Sequence, residues 1–262
     1  MVNSTANQLP TDIQFEKQLG QLATFIRVMR QAGLPIEEAL QGPIDDPDLR
    51  ERLVRFWNAS GYAPTTSQQR AREIMGKNFF GVEEAMRDFC LNPSRRQLAV
   101  LSEIPYTEAM LEECKDSHVL VAVFPLSILE IRGRFNSKLF YDQSWYNKES
   151  FAKDRGEAAW HLIRKDPVPN STSKTWNEQR ALLAENEETP QARVMIYTII
   201  GHFLATDQRL FENVYVWCSD VVSGGYRVYV GDFDSYGLDV DGYWDGYRRS
   251  DVGLASSRKF PA

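Results

Sequence analysis

The chain of 262 residues is 43% hydrophobic, 25% charged and 12% aromatic, with a formal net charge of −6. That is the composition of a folded globular protein and excludes a disordered tail, a collagen or a disulfide-rich scaffold. A pI near 5.3 leaves no broad basic field for phosphates, so no nucleic-acid partner is expected.

The opening stretch MVNSTANQLPTD is polar, so no signal peptide is expected. The most apolar run, VLVAVF at 119–124, is too short to span a bilayer. The three cysteines, Cys90, Cys114 and Cys218, are too widely spaced for a zinc site or a disulfide framework. A reduced, cytoplasmic protein is the expectation.

The first 117 residues read as helices. Phe15, Leu19, Leu22, Phe25, Ile26 and Met29 follow helical spacing and predict one amphipathic helix with a core-packing stripe. Asp46 before Pro47 predicts another helix start, with Leu49, Leu53, Phe56 and Trp57 as its stripe. NASGYAPTTS at 58–67 is the linker candidate. Ser94-Arg-Arg-Gln97 has the form of a capping box, followed by Leu98, Leu101, Ala109, Met110 and Leu111 as apolar positions. Such an acidic helical region is a candidate for oligomerisation.

Beyond residue 117 the pattern changes. HVLVAVF at 118–124, ILEIRGRF at 128–135 and AWHLIRK at 159–165 read as strands. Thr175-Trp-Asn-Glu178 predicts a capped helix, and Thr189-Pro190 opens a second one, with Val194, Ile196, Ile199, Ile200 and Phe203 buried. The expected class is α+β, with a helical region at 1–117 and a mixed domain at 118–262 ending in a β-rich tail.

Residues 213–262 differ in kind. They hold 7 of the 16 glycines and 6 of the 11 tyrosines, all 7 of their acids are Asp, and they contain no Glu, Gln, Met or His. NVYVW at 213–217 and RVYVG at 227–231 alternate. Val214, Val216, Val228 and Val230 therefore share an inner face, and Tyr215, Trp217, Arg227 and Tyr229 point the other way. Ser223-Gly-Gly-Tyr226 supplies the hairpin turn. Leu238, Val240, Val252 and Leu254 complete the buried set. Between Val240 and Val252, DGYWDGYRRSD has no aliphatic residue and reads as a surface loop. Tyr and Trp give large contact area with few rotatable bonds, while Ser, Gly and Asp adapt their hydrogen bonds, as in antibody paratopes. An EF-hand is rejected, because Tyr236 and Tyr243 stand where calcium ligands belong. A looser calcium site from Asp239, Asp241 and Asp245 stays open.

The run GEAAWHLIRKDPVPNSTSKTWNEQRALLAENEETPQARVMIYTIIGHFLATDQRLFENVYV, with VGDFDSYGLDV and DVGLASSRKF, resembles the variable proteins of diversity-generating retroelements. The resemblance covers roughly the last 105 residues. It implies a C-type-lectin-like domain, of the formylglycine-generating-enzyme subtype, whose C-terminal coding segment is rewritten by a reverse transcriptase that mutates adenines. It implies scaffold roles for Val214, Val216, Val228, Val230, Gly231, Gly237, Leu238, Gly253 and Leu254. It implies ligand-facing positions among Trp217, Val222, Tyr226, Tyr229, Asp232, Ser235, Tyr236, Asp239, Asp241, Tyr243, Tyr247, Arg248 and Ser250, with the neighbouring Trp244 added from the loop reading. The residue inventory agrees: adenine randomisation of an AAC or AAT codon cannot give Glu, Gln, Lys, Met or Trp, and the tail lacks the first two and Met. Trp217 and Trp244 need another codon history.

Enzymatic readings are weaker. Formylglycine-generating enzymes use a cysteine pair, and this tail has Cys218 alone. Ser171-x-x-Lys174 imitates a β-lactamase motif without its partner motifs. His118, His161 and His202 lie far apart in apolar runs. No Walker A, dinucleotide or H-E-x-x-H pattern is present, so no cofactor is expected. The expected function is non-catalytic binding of a protein or other macromolecular ligand. The alternative is an enzyme of the formylglycine-generating type or with another site.

Overall fold

The computed structural model describes residues 12–50, 62–135 and 139–260. Two compact units divide the chain, Met1–Gly61 and Tyr62–Ala262. In the first, α1 (Asp12–Gln31) forms as the periodicity predicts, and a further helix, α2 (Ile36–Asp45), follows it. Asp46 caps the next helical turn at 47–50, its carboxylate accepting from Asp48 N at 2.9 Å and Leu49 N at 3.3 Å. The α1 stripe is not core: Leu19 and Leu22 are about half exposed and Phe25 is 37% exposed, and Ile36 alone is buried among the described side chains of this unit. Leu53, Phe56, Trp57, the Phe15 side chain and the first part of the expected linker lie outside the described residues.

The second unit is α+β. Its helices include α3 (Thr66–Met75), α4 (Val82–Asp88), α5 (Arg95–Val100), α6 (Glu108–Cys114), α7 (Ile128–Phe135), α8 (Ser150–Lys153), α9 (Trp176–Arg180) and α10 (Ala192–Thr206). One sheet has the order β1-β2-β3-β9-β4, and the other the order β7-β6-β5-β8. The first comprises β1 (Phe79–Phe80), β2 (His118–Val123), β3 (Ala159–Arg164), β9 (Ser257–Arg258) and β4 (Glu187–Glu188). The second comprises β7 (Gly237–Tyr243), β6 (Arg227–Asp234), β5 (Tyr215–Val221) and β8 (Val252–Leu254), with β5 and β8 parallel. Every residue of α10 from Ala192 to His202 is buried, as expected of a helix apolar around its circumference that contacts strands of both sheets.

The expected division at 117/118 falls inside this unit. Ala71, Ile74, Met75, Leu101, Leu111 and Cys114 share one core with Val119–Val123, Ile196 and Val230. The helices of residues 66–114 bury their apolar faces in that common core instead of forming a module of their own. The Leu101 carbonyl fixes the arrangement, accepting from Trp160 Nε1 at 2.9 Å and Gln68 Nε2 at 2.7 Å.

Strands at 118–123 and 159–164 form as expected and pair with each other. Residues 128–135 do not: they are helical. Ser127 and Glu130 make a reciprocal cap, Ser127 N donating to Glu130 Oε2 at 2.8 Å and Glu130 N to Ser127 Oγ at 3.2 Å. Ile128 and Ile131 then bury one helical face. The capping boxes at Ser94–Gln97 and Thr175–Glu178 are both present. Among the described residues no helix is long and apolar enough to cross a membrane.

Candidate functional site

The tail folds as its alternation predicts. Val222 N donates to Tyr226 O at 2.8 Å and Gly225 takes φ +81°, closing the β5–β6 hairpin. Val216, Val228, Val230, Leu238 and Val240 enter the main core, with Val214 and Val222 packed at its edge. Gly231, Gly237 and Gly253 are also buried.

The opposite face is where expectation and structure part. Trp217 and Tyr229 are each 1% exposed and pack with Val168, Trp176, Val252 and Leu254 in a second, smaller core. Trp217 meets the Tyr229 ring edge-on at 4.9 Å between centroids, and Tyr215 does the same at 5.1 Å. The cover is the segment after β3, through α9. Val168 N donates to Leu254 O at 3.0 Å, Trp176 N to Asp245 O at 2.9 Å and Gln179 Nε2 to Val252 O at 3.1 Å. These two aromatic residues are therefore structural in the folded chain and not ligand-facing.

Beside this core the face becomes a polar network. Tyr215 donates to Asp239 at 2.8 Å and lies 3.2 Å from an Asp232 oxygen. Tyr229 donates to Asp241 at 2.9 Å, and Gln143 Nε2 donates to Asp239 at 2.9 Å. Burial, and then the neighbouring carboxylates, hold both tyrosine hydroxyls well above their ordinary pKa. Arg249 pairs with Asp251 and reaches the Tyr229 hydroxyl at 3.4 Å. Asp239, Asp241 and Asp245 thus serve different partners. Among the described residues no group of three or more His, Cys, Asp or Glu is placed to hold a metal ion.

An exposed aromatic cluster stands at the hairpin end of the sheet. Tyr243 pairs in register with Arg227, which brings it beside Tyr226. The Tyr226 and Tyr243 rings stack at 6.3 Å and 25°, and Tyr243 meets Tyr247 at 4.2 Å and 39°. Tyr226, Tyr243 and Trp244 are 51%, 41% and 54% exposed. Arg248, also exposed, donates to Glu178 at 2.8 Å, and Ser250 lies exposed in the same loop. Ser235 and Tyr236 are exposed too, but at the other end of β6, roughly 23 Å away at ~3.3 Å per residue. Asp232, with a positive φ of 47°, belongs to that far end as well.

Several neighbours of the cluster escape a reading of the tail alone. Glu149 accepts from Ser223 N and Oγ, both at 2.8 Å, and tethers the hairpin tip. Trp145 donates its indole N–H to Val240 O at 2.9 Å while 40% of it stays exposed. Arg227 is clamped by Asp245 and lies over Trp176. Each comes from, or pairs with, a segment far away in sequence; the cue available in the sequence was the density of Trp and Tyr at 141–146.

The groups raised for catalysis are scattered through the fold. Cys218 is buried, and burial raises its thiol pKa well above the ordinary value. Ser171 Oγ accepts from Leu254 N at 3.0 Å inside the fold. His118, His161 and His202 sit on β2, β3 and α10, each pushed down to about 4, chiefly by burial. No protein-family model, curated protein or solved structure matches the chain.

Proposed function

We propose that this chain is a non-catalytic binding protein and that the hairpin end of its C-terminal sheet engages a macromolecular ligand. The observation that carries this reading is the row of exposed Tyr226 and Tyr243 rings, backed by half-buried Tyr247 and flanked by exposed Trp244. Stacked rings lose little conformational freedom on binding and offer broad apolar area with a polar tip, which suits an anchor within an interface. Val228 and Tyr229, close by on β6, are buried in the two cores, so the anchor can change without removing a core side chain. With the resemblance noted above, the same reading assigns the chain to the variable proteins of diversity-generating retroelements, on a C-type-lectin-like scaffold.

Two measurements test it. The DNA flanking the gene should carry a reverse-transcriptase gene and a near-copy of the segment encoding 213–262 that differs at adenines; absence of both overturns the diversification. A displayed library varied at Tyr226, Tyr243, Trp244, Tyr247 and Arg248 should stay folded and yield binders to a panel of unrelated proteins. A library that unfolds, or yields none, overturns the binding role.

A further inference from the structure

A cleft of about 470 Å³, lined in part by Arg227 but by none of the stacked tyrosines, is within the size range of small-molecule sites. Trp176 and Leu183 give it an apolar wall, and Thr189 and Ser219 contribute hydroxyl-bearing residues. Four charged side chains line it besides Arg227: Arg180, Lys259, Glu187 and Glu188. Opposite charges sharing one cleft ordinarily pair. Here, among the described residues, no ion pair joins any of the four. Arg180 stands 5.7 Å from the Trp176 ring centroid without a carboxylate. Lys259 Nζ donates to a backbone carbonyl, Glu185 O, at 2.8 Å. Glu187 accepts from Ala184 N at 3.2 Å. Arg227 is already neutralised by Asp245.

One buried polar atom adds to this picture. Thr189 Oγ1, on the cleft lining, has no hydrogen-bond partner among the described residues. Buried groups of this kind are uncommon and call for an explanation.

We propose that this cleft is a binding site for a small zwitterion with an apolar body, of dipeptide size, whose carboxylate lies between Arg180 and Lys259 and whose ammonium faces Glu188, the β4 acid that shares a strand face with Lys259. Cations and an acid share the cleft, so a polyanion or a polycation meets repulsion as well as attraction, whereas a ligand carrying one charge of each sign satisfies both sides. Its apolar body lies on Trp176 and Leu183. This site is separate from the tyrosine stack and does not depend on the role given to that stack.

The test is an NMR titration of the full chain with the dipeptide Leu-Leu, following the Trp176 indole N–H, assigned through Trp176→Phe. A saturable shift is expected. It should weaken about tenfold or more when the dipeptide is N-acetylated or C-amidated, since each change removes one charge-assisted contact. Arg180→Gln, at an exposed position, should weaken binding of Leu-Leu comparably while thermal stability holds. Tyr243→Ala should leave it unchanged. No saturable shift, equal binding of the capped dipeptides, or a stronger response to inorganic phosphate than to Leu-Leu each overturns the proposal.

Discussion

The Arg227 guanidinium lies 3.8 Å from the centroid of the Trp176 ring. Asp245 holds it there with bonds at 3.0 and 3.2 Å, and the Ser219 carbonyl with one at 2.9 Å. One side chain thus ties β6, the loop after β7, the end of β5 and the cover of the small core. A lysine has neither the planar fork nor the same stacking face. Arg227→Lys should cost about 1–2 kcal/mol of unfolding free energy, from the lost bidentate pair and stack. Trp176→Ala, which also opens a cavity against Trp217 and Tyr229, should cost about 3–5 kcal/mol. Urea unfolding of the two variants checks both values; equal, small effects would mean that the cover is not anchored here.

The tail holds both exposed and buried aromatic rings, and one set of substitutions separates the two. Tyr226→Ala and Tyr243→Ala act on exposed rings and should change stability by less than about 1 kcal/mol. Trp217→Ala and Tyr229→Ala remove rings 1% exposed in the small core and should each cost about 3–5 kcal/mol. Tyr229→Phe keeps the ring and loses the bond to Asp241, for about 1 kcal/mol. Thermal or chemical melts read all five.

That division was only half legible in the sequence. Alternation in NVYVW and RVYVG fixes which side chains share a face, because the side-chain period of a strand is two residues. It does not say what covers the second face. The cover, residues 167–180, lies more than thirty residues upstream of β5 and is tied down by Leu254, Val252 and Asp245 backbone carbonyls, contacts without a local signature. The helix at 128–135 is a different kind of miss. Ile128 and Ile131 are three apart, and Ser127 and Glu130 form a capping pair, a signal present in the sequence that the apparent alternation of ILEIRGRF outweighed. The exposed stack was legible, since DGYWDGYRRSD has no aliphatic residue and could not be core. The boundary at 117/118 was not, because an amphipathic helix shows that a face is buried and not against which partner.

Two glycines of the tail have backbone reasons for their identity. Gly231 takes φ +151° at the β6 bulge, where an added Cβ would lie 2.1 Å from the Val214 carbonyl oxygen. Gly237 takes φ +110° at the start of β7, where a Cβ would lie 2.5 Å from the Phe140 carbonyl carbon. Both obstacles are backbone, which cannot rotate away. Gly231→Ala and Gly237→Ala should each cost more than about 2 kcal/mol, combining dihedral strain with steric displacement. Gly225→Ala, at φ +81° in the exposed hairpin with nothing within 4 Å, should cost only about 1 kcal/mol. Comparable losses at all three sites would show that strain alone, and not the close approach, decides.

Acid sensitivity should come from the three histidines. His118, His161 and His202 are each lowered to about 4, first by burial and then by nearby cations: Arg258, Arg164 and Lys165 for His118, Arg193 for His161, and Lys165 and Lys77 for His202. An unfolded histidine titrates near 6.5. Between that value and about 4 the unfolded chain therefore binds protons that the folded chain refuses, so the histidine contribution is fully present above pH 6.5 and is lost as pH falls toward 4. Each unit of lowering is worth about 1.4 kcal/mol at most. Urea midpoints should fall steeply from pH 7 to pH 5, and His202→Asn should flatten the slope even where it lowers stability at pH 7. An unchanged slope in that variant would place the acid sensitivity elsewhere.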